Sequence, residues 1–159
     1  MKKIVSILFA FLIFFSVNAQ SADVITEILE SEEATFGQIC YLSAVQMGLV
    51  EEDASYDEAI QVLYDNKYIP EIADADSVIP AVNLAFIYSQ LWPIKGGLMF
   101  RLTKGSPRYA FKQLQYDGII DSETDPSAHV TGAKALSLYT SCNKKYGKFD
   151  MSKVSMEAE

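Results

Sequence analysis

The interval between Asp76 and Asp117 holds five basic residues and no acidic one. Four of the five lie in residues 92–109 (WPIKGGLMFRLTKGSPRY), here called the basic segment, among aromatic side chains and two adjacent glycines. Basic side chains beside aromatic faces suit sugars or anionic groups. The basic segment is therefore a predicted ligand-binding site, with these candidate residues: Trp92, Lys95, Arg101, Lys104, Arg108 and Tyr109.

The same segment also has a purely structural interpretation. Its cations would pair with acidic loops of the same protein, and Trp92 and Phe100 would lie in the core. Clusters of charge commonly serve solvation or intramolecular pairing. The sequence leaves both interpretations open.

Residues suited to catalysis or metal binding are sparse. His129 is the only histidine, which excludes a histidine metal cluster, and we predict no metal or cofactor. Acidic residues cluster at 51–53, 74–76 and 123–125, and two of them could form a glycosidase pair. Solvated acidic loops are the simpler interpretation, because nothing in the pattern marks a raised pKa. We predict a non-catalytic protein, with a small glycan-acting hydrolase as the alternative.

The first 19 residues have the pattern of a secretory signal peptide. Lys2 and Lys3 precede an apolar run over residues 4–15, and Val17 and Ala19 supply the small residues of a cleavage site after Ala19. Loss of the two lysines changes the formal charge from −8 to −10. We therefore predict an exported protein, periplasmic or extracellular, with no transmembrane segment in the mature chain and no nucleic-acid partner.

The two cysteines, Cys40 and Cys142, are compatible with two states. Export makes a disulfide between them feasible. Two buried free thiols are the other state, since free cysteine is commonly a core residue. We predict that the two residues lie near each other.

The chain contains an internal repeat. Residues 106–139 align without a gap on residues 55–88, with six identities and matching apolar spacing. A partial unit precedes them near residues 23–47. Caps and apolar periodicity predict helices over 23–31, 35–47, 56–66, 80–92, 107–117 and 131–144. The predicted fold is an all-α bundle of helical hairpins, two full units and a partial one, with one short strand or hairpin near 97–102.

The last unit resembles an S-layer homology unit. In that family the first helix ends in a Gly-Ile turn, and the second helix opens with a Val-Thr-Arg-Ala-Glu type motif. Gly118-Ile119 matches the turn, Pro126 the loop, and Val130-Thr131 the start of the motif. The likeness covers residues 106–142 well, 55–91 loosely and 34–45 as half a unit. A generic helical-hairpin repeat is the alternative interpretation.

The chain departs from that family at the position that carries its chemistry. The family's basic residue, implicated in holding acidic cell-wall polysaccharide, corresponds to Gly132, and its acidic neighbour to Lys134. Residues 145–159 are polar and lack apolar periodicity, so we predict a disordered tail there. The resemblance implies a helical-repeat domain over residues 20–144. It also implies a binding or structural module of the bacterial cell envelope, whose partner is an envelope polymer or an envelope protein.

Overall fold

The structure is a computed structural model that describes residues 23–147. Those residues form seven helices and no β-sheet, which confirms the predicted all-α fold. Residues 23–30 are helical and form α1. The later helices are α2 (Phe36–Gln46), α3 (Tyr56–Asp65), α4 (Ala81–Leu91), α5 (Leu98–Leu102), α6 (Pro107–Tyr116) and α7 (Gly132–Tyr146). The predicted signal peptide and residues 148–159 of the predicted tail lie outside the described residues.

Side-chain caps fix where three of the helices begin. Thr35 and Gln38 form a complete capping box at the start of α2. Ser55 accepts a hydrogen bond from the backbone N–H of Glu58 at the start of α3, and Thr131 accepts one from a first-turn N–H of α7. Each cap satisfies a backbone donor that the helix leaves free, so the starts of these helices are encoded locally.

Helices α3 and α6 end at equivalent left-handed residues. Gly118 has a φ of 72°, in the region that glycine adopts without steric cost. The equivalent residue of the earlier unit is Lys67, with a φ of 63°. The preceding residue, Asn66, has a φ of −84°, and its side chain donates to the carbonyl of Val62.

The short strand expected near residues 97–102 is wrong, because Leu98–Leu102 forms helix α5. The backbone N–H of Arg101 donates to Gly97 O at 3.1 Å, and that of Thr103 donates to Met99 O at 3.0 Å. Leucine, methionine and arginine are good helix formers, and the turn satisfies these groups locally. Alternation over so few residues does not distinguish a strand from one helical turn.

The loops before α2, α4 and α7 meet at equivalent positions of the three units. Ile79 N donates to Ala34 O at 2.9 Å, and Ala34 N donates to Val130 O at 2.7 Å. Ala81 N donates to Ala128 O at 2.9 Å, which links the second and third units. The first, partial unit therefore closes the arrangement by contacting both full units.

The core is shared among the units. Helix α2 packs against α3 and α4, and α4 packs against α6 and α7. The apolar stripes predicted for the repeat supply most of the buried side chains, which include Ile39, Ile60, Leu63, Ile79, Leu84, Tyr88, Phe111, Leu114, Ala135 and Leu138. Burial of these apolar surfaces is the main favourable term in folding.

Candidate functional site

The basic segment joins α4 to α6 and contains α5. Four of its candidate side chains are exposed cations: Lys95, Arg101, Lys104 and Arg108. The two ion pairs found within residues 23–147 both lie outside the segment. The interpretation that these cations pair with the protein's own acidic loops therefore receives no support from the described part of the chain.

The ring of Phe100 packs against two glycines of the basic segment. A Cβ atom at Gly96 would lie 2.4 Å from Cδ1 of the Phe100 ring, and one at Gly105 would lie 3.2 Å from its Cζ. The ring thus occupies space that side chains at either glycine would need. Gly97 N also donates to Oε1 of Gln113 at 2.9 Å, which ties the segment to α6. These contacts give α5 a defined position.

Arg101 is oriented by its own segment. Its Nε donates to Gly96 O at 2.9 Å. A guanidinium group has five N–H donors in a planar fork, and this bond uses one of them. This bond holds the side chain in place and leaves four donors for an anion. Because the side chain is already held, less conformational entropy is lost when an anion binds.

Trp92 lies in the core. It is 8% exposed, and its ring centroid is 6.4 Å from that of Tyr88 and 5.4 Å from that of Tyr139. Its position agrees with the structural interpretation of this residue, and it presents no free face for stacking on a ligand. Tyr109 is partly exposed at the start of α6 and is the remaining aromatic candidate.

Three apolar side chains of the segment are exposed, although the sequence pattern did not single them out. Leu98 is 78% exposed, Met99 is 51% exposed and Leu102 is 72% exposed. None of the five residues of α5 is buried. A strand would direct Met99 away from Leu98 and Leu102, whereas in a helix Met99 lies on the same face as Leu102, three residues later. The wrong secondary structure therefore hid this cluster.

A shallow groove lies between α4, α6 and the loop at residues 121–126. It has a volume of about 470 Å³, and Arg108 and Lys112 lie along it, four residues apart on α6. Val82 and Phe111 supply apolar walls, and Thr124 supplies a hydroxyl group. Lys112 thus lies beside the predicted candidate Arg108, and the groove extends the cationic surface beyond the basic segment.

Gly132 is the residue that the predicted resemblance to S-layer homology units aligns with a basic position. A Cβ atom there would lie 1.6 Å from the carbonyl oxygen of Ile28 and 2.3 Å from Oγ of Ser31. Gly132 N also donates to Ser31 O at 3.1 Å. The position is a close contact between the first and last units, so a long basic side chain does not fit there.

The acidic clusters expected to offer a hydrolase pair are exposed loops. Residues 51–53, Asp74, Asp76, Glu123 and Asp125 are all solvent-exposed. Hydrogen bonds from Ser127 lower the pKa of Asp125. A general acid needs a raised pKa, so this shift is opposite to what that role requires. Within residues 23–147, no group of three or more His, Cys, Asp or Glu side chains could hold a metal ion.

Cys40 and Cys142 are buried free thiols in the structure. Burial raises the pKa of each thiol to about 12, and for Cys142 the charge of Asp117 adds to the effect. Both belong to the same hydrophobic core cluster. A disulfide between them stays a prediction, as does the export that would permit it.

Comparison with known proteins gives no match: no family model, no curated protein and no solved structure is similar to this chain. Among residues 23–147, no helix has the length and apolar character needed to span a bilayer. The site must therefore be interpreted from its own residues.

Proposed function

We propose that this protein is an exported, non-catalytic binding or structural module of the bacterial cell envelope. In this proposal the basic segment binds an anionic envelope component, either a polymer or a protein. The observation that carries the proposal is the exposure of four cations without an ion pair in the described part of the chain. The segment is positively charged, whereas the mature chain as a whole has a formal charge of −10.

The contrast in charge favours a single binding orientation. The interval between Asp76 and Asp117 carries five positive charges, so the rest of the mature chain carries a formal charge of −15. An anionic partner is repelled by that remainder and attracted by this interval. Arg101, Lys104 and Arg108 would contact the partner, and arginine can hold a carboxylate or phosphate through two hydrogen bonds.

Export and envelope location rest on the sequence. The pattern of residues 1–19 is that of a secretory signal peptide. The likeness to S-layer homology units supports an envelope location. The loss of that family's basic residue at Gly132 moves the proposed contact to the basic segment, at a different part of the fold.

Capture from envelope fractions tests the proposal. The mature chain, residues 20–159, is immobilised and incubated with solubilised envelope material, and bound components are eluted by a salt gradient. We expect an anionic component that elutes as salt rises, because exposed charge contacts are screened beyond about 10 Å at moderate ionic strength. Retention of neutral components alone, insensitive to salt, would contradict the proposal.

Incubation with cell-wall glycan tests the alternative function. We expect no release of soluble fragments. Turnover that disappears when Glu123 or Asp125 is changed to the amide would instead identify a hydrolase with a carboxylate pair.

A further inference from the structure

We propose that the anionic component is the surface of a lipid bilayer, and that α5 docks on it by inserting Leu98, Met99 and Leu102 among anionic headgroups. This inference rests on the proposed anionic partner of the basic segment, and it names a lipid surface in place of the polymer or protein of the proposed function. It goes beyond the cation site because it gives a role to three apolar side chains that the fold leaves outside the core.

Leu98, Met99 and Leu102 are exposed, although Phe100 between them is half-buried. Phe100 fits against Gly96 and Gly105, whereas the leucines on either side of it are 78% and 72% exposed. The segment therefore has one apolar side chain that packs on its own glycines and three that face solvent. Scattered single apolar residues are ordinary on surfaces, but three within one helical turn form a contiguous patch.

The surroundings of this patch are cationic. Lys95, Arg101 and Lys104 lie within three residues of the apolar cluster in sequence, and all three are exposed. Apolar side chains flanked by lysine and arginine are typical of elements that lie in a membrane interface. Each basic side chain near an anionic surface strengthens binding by about fivefold.

The exposed apolar side chains favour an anionic bilayer over a soluble anionic glycan. A hydrated polyanion could pair with the cations, but it offers no apolar phase for the leucine side chains. An anionic lipid surface offers phosphate groups to the cations and hydrocarbon to the leucines. The acidic remainder of the mature chain would be repelled from the same surface, so α5 would be the face that approaches it.

Vesicle flotation tests the inference. The mature chain is mixed with vesicles of equal parts phosphatidylglycerol and phosphatidylcholine, with pure phosphatidylcholine vesicles, and with dextran sulfate as a soluble polyanion. We expect strong binding to the anionic vesicles and weak binding to the neutral ones. The double variant Leu98→Ser with Leu102→Ser should lose at least about tenfold in vesicle affinity, because each leucine contributes an apolar surface.

A matched variant controls for loss of apolar surface in general. Leu29 and Ile72 are 53% and 56% exposed and lie outside the basic segment. The double variant Leu29→Ser with Ile72→Ser should bind vesicles like the unchanged chain. Circular dichroism of each variant should match that of the unchanged chain, since none of these side chains is buried.

The possible results separate the inference from the proposed function. Binding to dextran sulfate but to neither vesicle overturns the lipid inference and leaves an anionic polymer as the partner. Binding to neither overturns both. Vesicle binding that the leucine variant does not weaken overturns the insertion of α5 and leaves a purely electrostatic contact. A dimer that dissociates in the leucine variant, without vesicle binding, overturns the lipid inference in favour of a second copy of the chain.

Discussion

The backbone of Gly132 lies so close to Ile28 that a Cβ atom at position 132 would be 1.6 Å from the Ile28 carbonyl oxygen. This contact joins the start of α7 to the end of α1, and it brings the partial first unit against the last one. Position 132 is thus used for packing between units, and its correspondence to the basic position of S-layer homology units stays a prediction.

Gly132→Ala should destabilise the protein by about 3 kcal/mol, near the upper end of the usual cost of overpacking, because the obstacle is backbone. Gly118→Ala is the matched control. Position 118 has no atom within 4 Å of an added Cβ, so only its left-handed backbone is strained, at about 1 kcal/mol. Urea unfolding measures both, and equal losses would contradict the proposed close contact between units.

Gly96→Ala should loosen the basic segment. The added Cβ would collide with the Phe100 ring and displace α5, whereas Gly97→Ala meets its nearest atom, Gln113 Oε1, at 3.9 Å. Trypsin cleavage after Arg101 and Lys104 reports the change, since both bonds become more accessible when the anchor is lost. We expect faster cleavage in Gly96→Ala alone. Identical rates in the two variants would show that Phe100 does not hold the segment.

Asp117 links the end of α6 to the end of α7. Its Oδ2 accepts hydrogen bonds from Gln113 Nε2 at 2.9 Å and from the Tyr146 hydroxyl at 2.5 Å. Lys145 Nζ lies 3.4 Å from Oδ1. These contacts explain why α7 continues to Tyr146, two residues beyond its predicted end.

The stability of the protein should therefore depend on the charge of Asp117. Partial burial alone raises the pKa of this carboxyl group, but the hydrogen bonds and Lys145 outweigh it and bring the pKa below the ordinary 3.8. A lowered folded-state pKa adds stability that is present above pH 3.8 and is lost as the pH falls through the folded-state pKa.

Asp117→Asn should cost about 2 kcal/mol at pH 7, since it removes a charged acceptor of partly buried hydrogen bonds. The difference from the unchanged chain should shrink as the pH falls from 3.8 through the lower folded-state pKa, because the carboxylate of the folded protein becomes protonated there. Tyr146→Phe is the control that removes one donor and leaves the charge. Urea unfolding across this pH range measures both, and a constant difference would contradict the role of the charge.

Both cysteines should be protected from alkylation in the folded, reduced protein. Burial raises the pKa of the Cys40 and Cys142 thiols to about 12, and only the thiolate reacts. Between pH 7 and 9 the labelling rate measured by mass spectrometry should stay far below that of the urea-unfolded chain. Rapid labelling with a midpoint near the ordinary thiol pKa would show that the thiols are exposed.

The same mass measurement addresses the disulfide. Alkylation of the unfolded, exported protein without reductant should modify two thiols if the state in the structure persists. No modification would identify a bond between Cys40 and Cys142, as export permits.

The repeat was predictable from sequence because its signals are local. Caps such as Thr35 and Thr131, and apolar residues spaced by three or four, specify each helix within a few residues. The meeting of Ala34, Ile79 and Val130 was not predictable in this way. Those contacts join residues far apart in sequence, and they depend on how complete helices pack.

The positive charge of the candidate site was predictable from the sequence, but the burial or exposure of its apolar side chains was not. The absence of acids around Arg101 marked the segment, and its exposure follows from the polarity of its cations. Trp92 is buried because it packs against Tyr88 and Tyr139, as the structural interpretation expected, whereas the exposure of Leu98 depends on the helical turn of α5. A five-residue helix leaves too short a pattern to be recognised by periodicity.

The central claim is that the cations of the basic segment bind an anionic envelope component. The most direct measurement is the affinity of the mature chain for that captured component, before and after changing Arg101 and Arg108 to glutamine. The matched variant changes Lys134 and Lys144, exposed cations outside the segment, to glutamine. We expect the arginine variant to bind at least about tenfold more weakly, with a smaller salt dependence and unchanged helical content. Equal binding by the two variants, or unfolding of the arginine variant, would contradict the account.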